Sequence, residues 1–350
     1  MLHFTNDYQE LFHDNVLKEL SEANNQFFPG YGFDKISLRV NDKVREFVKD
    51  EAVNTYFLAG GTITNLIACS AFLLPYESII AADTAHINTS EAGALEATGH
   101  KILTCPNENG KLTASAIKHL LEHNKGETST KPRLVFLSNA SEAGTVYNRK
   151  ELEAIHQVCQ DNNLLLFIDG ARLGFALASE KSDLSLELIS KLTDVFYIGG
   201  TKNGAMYGEA LVISNPDLND QFIRAIKNRG GLLAKTYAVA LQFEALFNQE
   251  DRTPTADFSK TLYMQNARHA DAAAQKLADA FLDNGYKLSH PVEANLVFVE
   301  LNQDDAKKLS EKATFEVHDT AGDIDFCRFV CTYKTSDADI KAFRNVLEEL

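Results

Sequence analysis

The segment Asp194-Val-Phe-Tyr-Ile-Gly-Gly-Thr-Lys202-Asn-Gly ends an apolar stretch in paired glycines and then presents a lysine. At the carboxyl end of a strand in an open α/β sheet, the edge where ligands bind, such a lysine faces a crevice. Held among apolar and glycine residues, its amine pKa falls, and a neutral amine is a Schiff-base nucleophile. The alternative is a solvated loop lysine, the ordinary state of this side chain. Asp169 stands earlier, where the apolar run Leu164-Leu-Leu-Phe-Ile168 gives way to Asp-Gly-Ala-Arg172. A buried carboxylate without a partner protonates, so an acid at a strand end calls for a cation or donors. Arg172 or a helix N-terminus would serve, and so would the protonated nitrogen of a pyridine ring.

An acid and a Schiff-base lysine on neighbouring strand ends are what enzymes using pyridoxal phosphate place around the ring, which then accepts electrons from a substrate carbanion. A third piece is Leu58-Ala-Gly60-Gly61-Thr62-Ile-Thr64, an apolar lead, two glycines and a helix start. Free backbone N–H groups there, with the Thr62 hydroxyl, suit a phosphate. A glycine-threonine pair also serves simply as a cap, and no Gly-Lys-Ser/Thr follows as it would in a P-loop. His86 follows an apolar run through Asp83-Thr84-Ala85. It is either a structural hydrogen bonder or, beside a planar cofactor, a stacking group and proton carrier. His119, Glu122 and His123 match a zinc-protease spacing. They lie on an amphipathic segment before a polar stretch, so a solvated face and no metal are expected.

These residues need a scaffold that brings strand ends together. Short, wholly apolar runs at 78–82, 101–105, 134–138, 164–168, 195–198 and 210–214 alternate with helical periods such as 113–123 and 150–162. That pattern predicts an α/β fold, a mostly parallel sheet covered by helices on both faces. Residues 218–248 read as two helices broken at Arg229-Gly230-Gly231. The polar stretch ending in Pro254 marks the end of the large domain. The expected division is an N-terminal segment 1–40, a large cofactor-binding domain 41–252 and a small α+β domain 253–350. In the last, a helix over 258–284 precedes strands near 295–301, 314–318 and 326–332 and helices at 304–312 and 336–349.

Composition narrows the classes of function. With 34 basic against 49 acidic side chains the 350-residue chain carries a net charge of −15. Nucleic acid and anionic membrane surfaces are thereby disfavoured as partners. No apolar run is long enough to span a bilayer, and the N-terminus carries acidic residues where a secretory signal would carry basic ones, so a cytoplasmic protein is expected. Five scattered cysteines fit reduced thiols better than a disulfide frame, and Cys327 and Cys331 lie too far apart along one strand to bridge.

Several stretches together resemble the threonine aldolase branch of the β-eliminating lyases, within the fold-type I group of pyridoxal phosphate enzymes. They are Phe4-Thr5-Asn6-Asp7-Tyr8 with His13, Tyr31-Gly32-Phe33-Asp34, the Gly61-Thr62 helix start, His86 before Glu91-Ala92-Gly93, Gly144-Thr145-Val146-Tyr147 and Asp169-Gly-Ala-Arg172. The loop Gly-Gly-Thr-Lys202-Asn-Gly is closest in style to the low-specificity and phenylserine aldolases. The resemblance implies a fold-type I architecture and cleavage of threonine, allo-threonine or related β-hydroxy-α-amino acids to glycine and an aldehyde. β-Elimination, transamination or a non-catalytic binding role are the alternatives. It implies that Lys202 bonds the pyridoxal 5'-phosphate aldehyde, Asp169 pairs with the ring nitrogen and His86 stacks over the ring. Gly61 and Thr62 would hold the phosphate, together with Lys235. Arg172 would lie beside the cofactor and the substrate carboxylate, Arg328 would grip that carboxylate, and the segments from Asn6 to Tyr8 and from Tyr31 to Asp34 would help shape the substrate pocket. Arg328 has a simpler reading as a cross-strand partner of Asp325 or Glu316. A homodimer or homotetramer is implied. Where some family members carry a second histidine, this chain reads Ser138-Asn139-Ala140-Ser141-Glu142. That leaves His86 or water to take the substrate hydroxyl proton.

Overall fold

A computed structural model describes residues Met1–Leu350. Seven strands build the central sheet: β1 (Asn54–Leu58), β2 (Glu77–Ala82), β3 (Lys101–Cys105), β4 (Lys131–Ser138), β5 (Leu165–Asp169), β6 (Val195–Gly199) and β7 (Glu209–Ile213). Their order across the sheet is β1-β7-β6-β5-β4-β2-β3. Strands β2, β5, β6 and β7 are buried at every position, which explains their unbroken apolar sequences. Only β7 runs against its neighbours, pairing antiparallel with both β6 and β1. Two reversals restore the common direction, so β1 ends on the same edge as β2, β4, β5 and β6. That edge receives the residues that follow each of these strands, including Gly61, His86, Glu142, Asp169 and Lys202.

The strand boundaries match the sequence reading to within a few residues, with one addition. Strand β1 was expected only as an apolar lead, because Asn54-Thr-Tyr-Phe-Leu58 begins polar and is partly exposed at the sheet edge. Gly170 explains the glycine after Asp169: a Cβ there would sit 1.7 Å from the Tyr197 carbonyl oxygen, so β5 and β6 could not close at their ends.

A second sheet contains β8 (Lys287–Leu288), β9 (Leu296–Asn302), β10 (Glu316–Ala321) and β11 (Ile324–Val330), antiparallel in the order β10-β11-β9-β8. Its apolar face meets the Leu262–Asp283 and Asp337–Glu348 helices in a separate core that includes Phe281, Phe329 and Phe343. The Leu262–Asp283 helix joins the two cores, with Leu262 to Met264 in the larger and Ala273 to Phe281 in the smaller. It starts at Leu262, not Phe258, because Thr261 caps it by accepting from the Met264 amide, and residues Phe258–Lys260 form a separate 3-10 turn. The N-terminal residues join the second core: Leu2–His3 pairs with Ala313–Thr314, and Phe4 is buried there. All five cysteines are free and buried.

Candidate active site

A cavity of about 740 Å³ lies between the strand-end edge and the second sheet. It is larger than the surface hollows beside Phe47 (about 450 Å³) and beside Tyr147 (about 460 Å³). Lys202, Arg172, His86 and Glu142 face it from the large sheet, and Arg328, Glu316, His290, His318 and Phe298 from the second.

Lys202 follows β6 on a loop fixed from beneath. Glu209, buried at the start of β7, accepts from the Gly200 amide at 2.9 Å and the Thr201 hydroxyl at 2.8 Å. Burial pushes this carboxyl up to about 8. Burial also pulls the Lys202 amine below the ordinary lysine range, and the Arg172 guanidinium adds to the effect. A partly neutral amine is the state that attacks a carbonyl.

Asp169 ends β5 with donors on both oxygens. Oδ1 accepts from the Tyr197 hydroxyl at 2.5 Å and the Ala171 amide at 3.0 Å, and Oδ2 accepts from Asn65 at 2.9 Å. Arg172 is not its hydrogen-bonded partner. The same Asn65 amide nitrogen donates to Glu91 Oε1 at 2.8 Å, and that oxygen also meets His86 Nδ1 at 2.8 Å. The bond to Glu91 raises the His86 imidazole pKa, against burial, which lowers it. Tyr197 is fully buried, and burial with the nearby Asp169 charge holds its hydroxyl protonated. Acid, amide, acid and imidazole thus form one chain of contacts beneath the cavity.

Arg172 donates through Nε and Nη2 to Asp7 at 2.8 and 3.2 Å, and Asn295 also donates to Asp7. Burial alone would raise the Asp7 carboxyl, but Arg172, the Lys202 charge and these bonds outweigh it and bring it down to about 2. Of the Asn6 to Tyr8 segment, Tyr8 lines the cavity and Asn6 stands beside it. The Asn6 side chain accepts from the Tyr8 amide at 3.0 Å and lies outside the cavity wall. Arg328 does line the cavity, and its guanidinium also pairs across the strands with Glu316. The simple pairing and the cavity position therefore hold together.

The Gly61–Ala71 helix begins without a side-chain cap, which leaves its first N–H groups open to an anion. A Cβ on Gly61 would stand 3.3 Å from the Tyr197 hydroxyl, so this helix start lies next to the Asp169 cluster. Thr62 is exposed beside it. Lys235 is exposed and absent from the cavity wall, so the structure does not join it to the other residues. His119, Glu122 and His123 do converge, their ligand atoms within 4.8 Å of one another, on an exposed helix face outside this cavity.

Sequence reasoning placed Asp7 only within the pocket-shaping Asn6 to Tyr8 segment and missed Asn65, Glu91, Tyr197 and Glu209 as site residues. A usable signal was present in three of them: Asn65, Tyr197 and Glu209 are polar residues at positions whose period or apolar neighbours assign them to the interior.

The chain matches the family described as beta-eliminating lyase over residues 18–304. It is 32% identical over 337 residues to the low specificity L-threonine aldolase of Pseudomonas aeruginosa, covering 95% of this chain and 92% of that one. The counterpart from a Pseudomonas species is also 32% identical, over 92% of this chain and 90% of its own length. Among solved structures, Leishmania major threonine aldolase superposes with a TM-score of 0.95 at 35% identity, covering 100% and 99% of the two chains. Sphingomonas wittichii serine palmitoyltransferase, at 15% identity over 99% of this chain and 86% of its own, shares the fold with a TM-score of 0.73. With the family match spanning most of its length and relatives this similar end to end, the chain belongs to the beta-eliminating lyase family.

Proposed function

We propose that this protein is a pyridoxal 5'-phosphate-dependent aldolase that cleaves L-threonine, L-allo-threonine and related β-hydroxy-α-amino acids to glycine and an aldehyde. The observation that carries the reading is Lys202 in the cavity with a lowered amine pKa, on the strand next to Asp169. The names of the relatives at 32 and 35% identity supply the reaction.

The residues fit the cofactor. Lys202 supplies the amine, Asp169 the carboxylate for the ring nitrogen, His86 an imidazole to lie over the ring, and Gly61 with Thr62 an uncapped helix start for the phosphate. Lys235 stands as a further partner for the phosphate, exposed like Thr62 in the single chain. Bound there, pyridoxal phosphate supplies an aldehyde for an amine and a cationic ring that accepts an electron pair from the substrate α-carbon.

The chain's own residues do the rest. Tyr197, Ala171 and Asn65 hold the Asp169 carboxylate in one orientation. Arg328 and Arg172 present guanidinium groups that fix the substrate carboxylate, and a fixed carboxylate decides which bond to the α-carbon lies perpendicular to the ring. When that is the Cα–Cβ bond, loss of the β-hydroxyl proton expels an aldehyde and the α-carbon takes up a proton to become glycine.

A homodimer or homotetramer fits the exposure of Phe27, Phe33 and Leu38, large apolar side chains on the N-terminal elements. No helix is long and apolar enough to cross a membrane. Five free cysteines suit a reducing, cytoplasmic setting.

The test is a side-by-side assay of threonine, allo-threonine, phenylserine and a β-eliminable amino acid with the cofactor-loaded protein, wild type and Lys202→Ala. Glycine plus aldehyde from the wild type and none from the variant is the expected result. Pyruvate and ammonia, or a keto acid formed only with a second amino donor, would overturn the reading.

A further inference from the structure

We propose that Glu142 is a catalytic residue, the base that takes the β-hydroxyl proton when the Cα–Cβ bond breaks. The inference rests on the aldolase reading and adds the group that reading lacks.

Glu142 belongs to the turn between β4 and the Arg149–Asp161 helix, and that turn is built to hold its shape. The Ser141 amide donates to the Thr145 carbonyl at 2.8 Å and the Gly144 amide to the Ser141 carbonyl at 2.9 Å. The Thr145 hydroxyl donates to the Asn109 carbonyl at 2.7 Å and, at the same distance, accepts from the Ser141 hydroxyl. At the start of the turn the Asn139 amide donates to the Asp169 carbonyl at 3.0 Å, which ties the segment to the strand that carries the acid. Gly110, at φ +82°, allows the close approach, since a Cβ there would lie 2.7 Å from Ala143 Cβ and from Ser141 Oγ. On this support the Ser141 and Thr145 hydroxyls are both engaged. The Glu142 carboxylate faces the cavity beside Lys202, Arg172 and His86 and has no hydrogen-bonding partner within the chain.

Of the two candidates left by the sequence, a water would still need a group to take its proton, and the histidine is less suited. His86 bonds Glu91 through Nδ1, and that bond favours the protonated imidazole, which is a donor and not an acceptor. The Glu142 carboxylate, with no partner in the chain, has both oxygens open to a substrate hydroxyl in the cavity. In the cleavage direction the hydroxyl O–H breaks and its proton passes to a Glu142 oxygen. The C–O bond becomes the aldehyde C=O, the Cα–Cβ pair stays with the α-carbon, and Glu142 returns its proton to solvent through the open cavity. No further reactant is needed.

The experiment compares wild type, Glu142→Gln and Glu142→Ala, each loaded with pyridoxal phosphate. Three quantities are read: kcat for threonine and allo-threonine, the rate of glycine α-proton exchange in heavy water, and the dissociation constant for the cofactor. Exchange on glycine uses the lysine, the ring and both arginines but has no hydroxyl to deprotonate. Glu142→Gln should lower kcat by about 10²-fold or more while exchange and cofactor affinity stay within about threefold, and formate should restore part of the Glu142→Ala activity. A kcat within about threefold of wild type, or an exchange rate that falls as far as kcat, would overturn the proposal. A wild type that exchanges glycine but cleaves no β-hydroxy amino acid would instead overturn the aldolase reading. Should Glu142→Gln melt well below wild type, Glu142→Asp gives the same split, with kcat reduced and exchange kept.

Discussion

The two walls of the cavity are built on different terms. On the large-sheet side, Asp169, Asn65, Glu91 and Tyr197 are buried and linked by hydrogen bonds, and Arg172 is paired with Asp7. On the second-sheet side, Arg328 has a single partner in Glu316, and His318 stands exposed beside Phe298. A cofactor that never leaves rewards a prearranged wall, because fixed dipoles need no reorganisation when charge develops. A substrate that must enter and depart suits a wall whose side chains can give up their partners. Arg328 illustrates the second case: to hold a substrate carboxylate it has only to share or release Glu316, an exposed and therefore weak competitor.

If the contrast is right, damage should scale with how tightly each wall is built. The largest effect is expected from Asp169→Asn, which keeps the shape but removes the charge that we propose meets the ring nitrogen. Turnover of threonine should fall by roughly 10²–10³-fold, with the melting temperature little changed, and a decrease under tenfold would show that the prearranged wall does not carry the chemistry.

Next comes Asp7→Asn, which strands the buried Arg172 guanidinium and should cost about 3 kcal/mol in urea unfolding at pH 7. This effect has a direction with pH. Because the folded-state Asp7 pKa is depressed to about 2 from 3.8, its contribution is present above pH 4 and is lost as pH falls toward 2. The stability gap between wild type and variant should therefore narrow across that window, and a gap independent of pH would refute the ion pair as its source.

The smallest effect belongs to the open wall. Arg328→Ala should raise KM for threonine by about tenfold, a loss of ~1.4 kcal/mol in binding, and leave the pH 7 stability of the protein nearly unchanged. A loss of stability as large as that of Asp7→Asn would erase the distinction between the walls.

The strands that deliver the site were legible because burial on both faces demands unbroken apolar runs, as in Val195–Gly199 and Leu165–Asp169. Lys202 and Asp169 were legible for the same reason: a charged residue directly after such a run lies at a strand end. Lys235 and Asn6 rested on family likeness alone, with no periodic pattern to locate their side chains, and neither lines the cavity of the single chain. Strand β1 was missed because an edge strand keeps polar residues on its open side.

By itself the sequence determined where the chain turns from strand to loop, and hence which residues reach the sheet edge, since hydrophobic period is a local property. Only the tertiary structure decided who meets whom. Asp7 and Arg172 lie 165 positions apart, as do Asn65 and Asp169 at 104, and nothing in local pattern encodes such pairs. Their union follows from the order of strands in the sheet and from the N-terminal residues packing into the second core. That long-range closure of the chain is what gives a buried arginine its carboxylate and a buried carboxylate its donors.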